Sequence, residues 1–240
     1  MDGIDPSPSW SKSLNKQSFI RARSPEHKAR RADDILAAAR LVLDRDGIDA
    51  VTLASIAREA GVVKSNIYRY YESREEILFR LLLKESEHLT SENVKLLNGL
   101  PRPVSIPEMA RLMAKDFANR PRFCLLVSQL APILERNISV EKLIDMKRET
   151  AALLLQISEA ILRAIPEIGE VGAMKALHTS IYLIAGLWPM TNPPEQVVKA
   201  LETPDLAFMR VDFETSLRDA IEALFEGAKS ANKQMPKAEA

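Results

Sequence analysis

At 240 residues, 46% of them hydrophobic and 5% aromatic, the chain can fold as one large domain or two smaller ones with a helical core. Its 33 basic and 33 acidic side chains cancel, so the net charge itself does not indicate a nucleic-acid partner. Cys124 is the only cysteine, which excludes an intrachain disulfide, and no signal segment or membrane-length apolar run is present, so we expect a cytoplasmic protein without a membrane partner.

Residues 1–26 are predicted to form a flexible basic arm, because prolines and serines interrupt every apolar period there. Between positions 11 and 31 a run of basic side chains faces only Glu26. The run comprises Lys12, Lys16, Arg21, Arg23, Lys28, Arg30 and Arg31. Such a run is compatible with a solvated tail or with a phosphate partner.

A first helix is predicted from about His27 to Arg45, and Gly47 suits the left-handed position that ends a helix. Its apolar stripe consists of Ile35, Ala38, Ala39, Val42 and Leu43. We expect this helix to brace the segment that follows it.

Residues 52–74 carry two short apolar sets of helical spacing, at positions 53, 56, 57 and 60 and at positions 63, 67, 68 and 71. Gly61 separates the two sets, and Thr52 is well placed to cap the first of the two helices. The pattern fits two ordinary core helices, but it also fits a helix-turn-helix, whose second helix enters the major groove of DNA.

A longer set of positions favours the second interpretation. It comprises Ile35, Ala38, Ala39, Leu43, Gly47, Thr52, Ile56, Ala57, Ala60, Gly61, Val62, Ile67, Tyr68, Tyr70, Tyr71, Ser73, Arg74, Glu75 and Ile77. The spacing of these residues resembles the DNA-binding domain of the tetracycline-repressor (TetR) family. The resemblance implies an all-α protein in which a three-helix DNA-binding domain, residues 27–73, precedes a larger ligand-binding and dimerisation domain, residues 74–229. Residues 230–240 are expected to be a disordered tail.

The second short helix, predicted over Lys64–Tyr71, would read the DNA sequence with its N-terminal residues Lys64, Ser65 and Asn66. Lysine can donate to guanine, and asparagine can pair with the adenine edge. Phosphate contacts are expected from Thr52, Tyr68, Tyr70 and Arg74. For Tyr68, a ring that is half-buried within the small domain is an equally good interpretation.

Two positions depart from the family pattern. Val63 stands where the family often has serine or threonine, so the reading helix should lack its side-chain cap, and Ser65 is bulkier than the usual glycine or alanine. We therefore expect the operator sequence to be unusual.

The next helix, predicted over Ser73–Leu97, is long enough to link the two domains mechanically. Further helices are predicted over 107–119, from Pro121, and over 139–165. Their apolar faces can enclose a cavity or close completely on each other. The expected cavity residues are Met109, Met113, Phe117, Phe123, Val127, Met146, Thr150, Leu153 and His178.

The last long helices, at about 167–188 and 211–229, are predicted to form the interface of a twofold-symmetric homodimer. The expected interface residues are Met174, Ile181, Trp188, Phe213, Leu217, Ile221 and Leu224. Dimerisation would place two reading helices about 34 Å apart, in successive major grooves.

The sequence thus predicts a transcriptional repressor that binds a palindromic double-stranded DNA operator and releases it when a small-molecule effector binds. An effector-less dimeric regulator and an all-helical enzyme or lipid carrier are the alternatives. We expect no catalytic activity, no cofactor and no metal, because the sequence has no cysteine–histidine pair, no glycine-rich phosphate loop and no clustered metal ligands.

Overall fold

The computed structural model describes residues 25–234, which form ten α-helices and contain no strand, so the predicted all-α class is confirmed. The bounds are α1 Pro25–Asp46, α2 Leu53–Glu59, α3 Lys64–Ile67, α4 Arg74–Gly99, α5 Ile106–Ala118, α6 Pro121–Ser128, α7 Val140–Ala164, α8 Gly169–Thr191, α9 Glu195–Ala200 and α10 Phe213–Gln234. Short 3-10 turns lie at Ile48–Ala50, Pro166–Ile168 and Pro204–Met209.

Helices α1, α2 and α3 pack around a small core of fully buried aliphatic side chains, among them Val42, Ile56 and Ile67. Gly47 follows α1 at φ 80° and Gly61 lies between α2 and α3 at φ 64°, a backbone region that glycine enters at little cost. The Tyr71 hydroxyl donates to the Ala32 carbonyl at 3.1 Å and so fixes the end of the α3 segment against α1.

Helix α4 is the longest element and has 26 residues, which corresponds to roughly 39 Å of helix. Ser73 caps its start, since the Ser73 hydroxyl oxygen accepts from the Glu76 amide at 3.1 Å. It packs on α1 of the small domain and on α6 and α7 of the larger part of the chain. The predicted role of this helix as a physical link between the two parts of the chain therefore matches its position.

In the larger part of the chain, α10 lies against α8 and α5, α7 lies against α4, and α6 lies against α8. The Trp188 ring meets the Phe213 ring edge-on, with 5.2 Å between the centroids, where α8 and α10 cross. The helices α4, α5, α6, α7 and α8 surround the interior of this part.

Two helices end earlier than the apolar pattern predicts. Helix α3 is α-helical only over Lys64–Ile67, and hydrogen-bonded turns then carry the chain to Tyr71, which points into the core. Helix α6 ends at Ser128 and passes into a π-helical turn over Leu130–Leu134. Pro132 in that turn lacks the amide proton that a continuing α-helix would need.

Helix α10 continues to Gln234, five residues beyond the predicted end at Lys229. Lys229 forms an ion pair with Glu167 at 2.7 Å, and the Asn232 side chain donates to the Glu167 carbonyl at 3.0 Å, so these last turns are attached to the segment before α8. Of the predicted arm and tail, residues 1–24 and 235–240 lie outside the described residues.

Candidate nucleic-acid interface and internal cavity

Thr52 caps α2 as predicted. Its hydroxyl oxygen accepts from the Ser55 amide at 3.0 Å, and the Ser55 hydroxyl accepts from the Thr52 amide at 2.8 Å. This reciprocal pair is a capping box, which satisfies two amides that the first turn leaves open. The box fixes the start of α2, and Thr52 remains exposed.

The three predicted base-reading residues lie together at the start of α3. Lys64 and Ser65 are exposed and Asn66 is half-buried, whereas Ile67 behind them is fully buried and anchors the helix to the core. Val63 is the N-cap residue, and no side-chain hydrogen bond caps the helix there, as its sequence predicts. The arrangement presents donors and acceptors on one exposed helix end, as a major-groove reader requires.

The two tyrosines predicted to contact phosphate have different environments. The Tyr68 side chain is 54% exposed, so it is available to a partner while part of its ring stays covered. Tyr70 is half-buried and packs against the core of the small domain. The two interpretations of Tyr68 are therefore compatible, because one tyrosine can pack its ring on the small domain and still expose its hydroxyl.

Arg74 is placed differently from the expectation. Its Nη2 donates to the Ile48 carbonyl at 3.0 Å, and its Nε is buried without a hydrogen-bond partner, so the side chain ties α4 to the turn before α2. The helix end beside it is capped by Ser73 and carries Glu75 and Glu76 in its first turn. The Arg74 guanidinium is thus bonded within its own chain, and its contact with a phosphate stays a prediction.

A cavity of about 310 Å³ lies among α4, α5, α6, α7 and α8. Ligand-binding cavities have volumes from about 300 Å³ upward, so this one is large enough for a small ligand. Eight of the nine predicted residues line it: Met109, Met113, Phe117, Phe123, Val127, Thr150, Leu153 and His178. Met146 does not; it is fully buried in the core next to the cavity, which corrects that assignment.

The sequence interpretation missed the contribution of α4 to the wall. Side chains along one face of α4, including Phe79, Leu82, Ser86, Leu89 and Asn93, line the cavity. Their three- and four-residue spacing is visible in the sequence and shows that they share one helix face, but it does not show that this face borders a cavity. The same helix therefore touches the small domain and the cavity.

The polar groups in the wall are mostly occupied by hydrogen bonds within the chain. The Ser86 hydroxyl donates to the Leu82 carbonyl at 2.8 Å, and the Thr150 hydroxyl donates to the Met146 carbonyl at 2.9 Å. Asn93 donates to Asp116 at 2.8 Å, and Asp116 is also paired with Arg120. Since most other lining residues are aliphatic or aromatic, the wall favours a ligand with a predominantly apolar body.

Charged contacts connect the cavity helices α6 and α7 to α1 and to the start of α4. Arg122 of α6 donates to Asp44 of α1 at 2.7 and 2.8 Å and to Glu85 of α4 at 2.6 Å. Lys142 of α7 donates to both carboxylate oxygens of Glu76 at 2.7 and 2.8 Å. Arg122 directly precedes the wall residue Phe123, so its bonds attach this part of the wall to α1.

The second connection lies close to the reading helix. Glu76 is 3% exposed, and its carboxylate also accepts from the Glu72 amide at 2.6 Å. The Ser139 amide donates to the Glu72 carboxylate at 3.3 Å, and hydrogen bonding to Ser139 lowers the pKa of Glu72. The start of α7 is therefore bound to the segment that joins α3 to α4.

Part of the predicted dimer interface is wrong. Phe213, Leu217 and Ile221 of α10 are buried within their own chain, where α10 packs on α8 and α5, so they have no surface to offer a second subunit. Met174, Ile181, Trp188 and Leu224 are half-buried, and Ile181 lines the cavity. Val171 and Tyr182 of α8 are each 69% exposed and line a shallow groove together with Met174.

Cys124, the one cysteine of the chain, is buried on α6. Burial raises the pKa of the Cys124 thiol to about 12, and the thiol donates to the Phe117 carbonyl at 3.3 Å, so it is not a nucleophile at neutral pH. Within residues 25–234, no group of three or more histidine, cysteine, aspartate or glutamate side chains is arranged to hold a metal ion. None of the helices in this range is both long and apolar enough to cross a membrane.

An exposed helix-turn-helix joined by one long helix to a larger helical domain defines a class of DNA-binding regulator. Two family descriptions match the chain: "Bacterial regulatory proteins, tetR family" over residues 35–81 and "Tetracyclin repressor-like, C-terminal domain" over residues 83–232. The chain belongs to the TetR family and is a DNA-binding transcriptional regulator.

Two known proteins illustrate the similarity. The uncharacterized HTH-type transcriptional regulator YfiR of Bacillus subtilis (strain 168) is 35% identical over 57 residues, which cover 24% of this chain and 28% of that protein. The fatty acid degradation regulator FadR from Bacillus halodurans has a similar structure, with a TM-score of 0.51 and 17% identity over 82% of this chain and 95% of that chain. At this identity the second similarity concerns the fold.

Proposed function

We propose that the chain is a homodimeric repressor that binds a palindromic operator and leaves it when a predominantly apolar small molecule enters the cavity. The observation that supports this proposal most strongly is the position of α4, which begins beside the reading helix and lines the cavity further along. A ligand that displaces the cavity end of α4 or α7 must strain the contacts that hold the reading helix in place.

In this proposal residues 27–73 form the DNA-binding domain and residues 74–229 bind the effector and the second subunit. Lys64, Ser65 and Asn66 read bases, while Thr52, Tyr68 and Tyr70 contact phosphates. Arg74 acts indirectly, by holding α4 against the turn before α2. Because operator DNA is the proposed partner, we propose that the protein works in the cytoplasm. We also propose that it catalyses no reaction.

The effector site can be tested by filling the cavity. Leu153 lines the cavity, so Leu153→Trp should occupy it and weaken binding of the uncharged apolar dye N-phenyl-1-naphthylamine by at least about tenfold, a loss typical of steric exclusion from a pocket. Dye fluorescence measures the binding. In a screen for compounds that release wild-type protein from DNA, the active compounds should fail to release the variant.

Leu155→Trp is the matched control, because Leu155 lies two residues further along α7, is 54% exposed and does not line the cavity. It should bind the dye as the wild type does. Equal dye binding by Leu153→Trp and the wild type, or release of both by the same compounds, would place the effector elsewhere.

The dimer can be tested on the exposed face of α8. Val171→Asp puts a charge on a side chain that is 69% exposed in the single chain, and we expect it to shift the mass measured by light scattering from twice that of the chain toward that of the chain. Leu155→Asp, on the exposed face of α7, should leave the mass unchanged. A wild-type monomer at micromolar concentration would contradict the proposed assembly.

A further inference from the structure

Val63 is an apolar side chain in an unusual position. It is 63% exposed and stands at the N-cap of α3, immediately before Lys64 and Ser65. Its backbone is extended, with φ −79° and ψ 145°, and the Asn66 amide donates to its carbonyl at 2.9 Å. Because the backbone of Val63 is bonded into the first turn of α3, its side chain is held at the same exposed helix end as the three base-reading residues.

The local structure gives Val63 no packing role. Its neighbour Val62 is partly buried and packs on the core, whereas Val63 projects away from that core. A serine or threonine at this position would cap the helix with its hydroxyl, and valine provides no such bond. An exposed branched apolar group at this site therefore neither fills the interior nor satisfies the helix end.

The major groove offers one apolar group to such a side chain. Guanine, cytosine and adenine present hydrogen-bonding atoms there, whereas thymine presents its C5-methyl group next to one acceptor. A valine whose two methyl groups face the groove gains by burying a methyl group and gains nothing from the polar edges. Lys64 and Asn66 beside it supply the complementary polar contacts.

We propose that Val63 is a specificity-determining residue that selects a thymine in each half-site through contact with the thymine C5-methyl group. This inference rests on the proposed function, because it needs the start of α3 to lie in the major groove. A surface position without contact to bases is the competing interpretation, since isolated exposed apolar side chains are common on proteins.

The test uses an operator selected in vitro from a randomised duplex library by the full-length wild-type protein. Each thymine of the selected half-sites is then replaced by deoxyuridine, which removes only the methyl group. At one position, replacement in both half-sites should weaken wild-type binding by about fourfold per half-site, or about fifteenfold in total, as expected for loss of one buried methyl contact.

Three variants test whether the Val63 side chain causes the effect of deoxyuridine on affinity. Val63→Ala and Val63→Ser should bind the thymine and deoxyuridine operators equally well, and Val63→Ser should retain the wild-type thermal midpoint or raise it because serine caps the helix. Val198→Ala is the matched control: Val198 is 45% exposed on α9, a helix without extensive packing against α3, and its loss should leave the deoxyuridine effect at the wild-type value.

The outcomes distinguish this inference from the proposed function. A selected operator that contains no half-site thymine, or whose affinity is unaffected by deoxyuridine, would overturn the role of Val63 while leaving the operator-binding proposal intact. The same holds if the Val63 variants remain as sensitive to deoxyuridine as the wild type. Failure of the library to yield any enriched sequence would overturn the sequence-specific function itself, and this inference with it.

Discussion

Asn66→Ala should lower affinity for the operator by roughly 30-fold or more, because a bidentate asparagine–adenine contact contributes about 1–3 kcal/mol and a dimer loses two of them. Affinity for unrelated duplexes should change little, since phosphate contacts dominate non-specific binding. Fluorescence anisotropy with the selected operator and with a scrambled duplex measures both effects at one fixed salt concentration.

Asn98→Ala is a suitable control for the Asn66 variant. Asn98 is exposed near the end of α4, where its side chain accepts from Arg102, and it is remote from α3. We expect this control to bind both duplexes as the wild type does. An equal loss of affinity for operator and scrambled DNA by Asn66→Ala would show that Asn66 holds phosphates or supports the fold, and does not read bases.

Lys142→Met should lower the free energy of unfolding by roughly 2–3 kcal/mol, because it leaves the carboxylate of Glu76 buried without its cation. Glu76 is 3% exposed, whereas the Lys142 side chain is 33% exposed, so the expected loss lies toward the lower end of the range for fully buried pairs. Urea unfolding monitored by circular dichroism measures the change. Because this pair attaches α7 to the start of α4, the variant should also transmit cavity occupancy to DNA less effectively.

The exposed ion pair of Lys199 with Glu195 provides the matched control, since both side chains are more than two-thirds exposed. Lys199→Met should change stability by less than about 1 kcal/mol. Adding Glu76→Gln to Lys142→Met should recover part of the loss, because a neutral amide is less costly to bury than an unpaired carboxylate. A Lys142 variant as stable as the control would mean that the pair contributes nothing to the connection between α7 and α4.

The small domain was largely predictable because its signals are local. Gly47 and Gly61 mark backbone positions that glycine favours, Thr52 caps a helix through a residue three positions away, and the buried stripe of α1 follows helical spacing. The length of α3 was not predictable in this way. Beyond Ile67 the chain is held by a distant contact, because the Tyr71 hydroxyl donates to the carbonyl of Ala32, 39 positions away.

The sequence predicted which residues would line a cavity, but it did not predict whether a cavity exists. An apolar stripe shows which face of a helix is covered, but the stripe looks the same whether the facing side chains meet or leave a space. Eight of the nine expected side chains line the cavity. The side chains of α4 also line it, but their spacing alone did not show that they face an open space.

Part of the dimer interface was predicted wrongly for a related reason. Phe213, Leu217 and Ile221 form an apolar stripe, but periodicity does not tell whether that stripe faces the same chain or another. In the structure these three residues of α10 lie in the core of their own chain. The exposed apolar side chains Val171 and Tyr182 lie on a different helix, α8. Similarly, the sequence shows that Arg74 is basic but not that its guanidinium binds the Ile48 carbonyl.

Selection of binding sites from a randomised duplex library tests the central claim most directly. We expect enrichment of a twofold-symmetric sequence whose half-site centres are separated by about 10 base pairs or a multiple of that spacing, as two reading helices in successive major grooves require. Enrichment of a single asymmetric half-site, or of no sequence at all, would contradict the proposal that this chain reads a palindromic operator as a dimer.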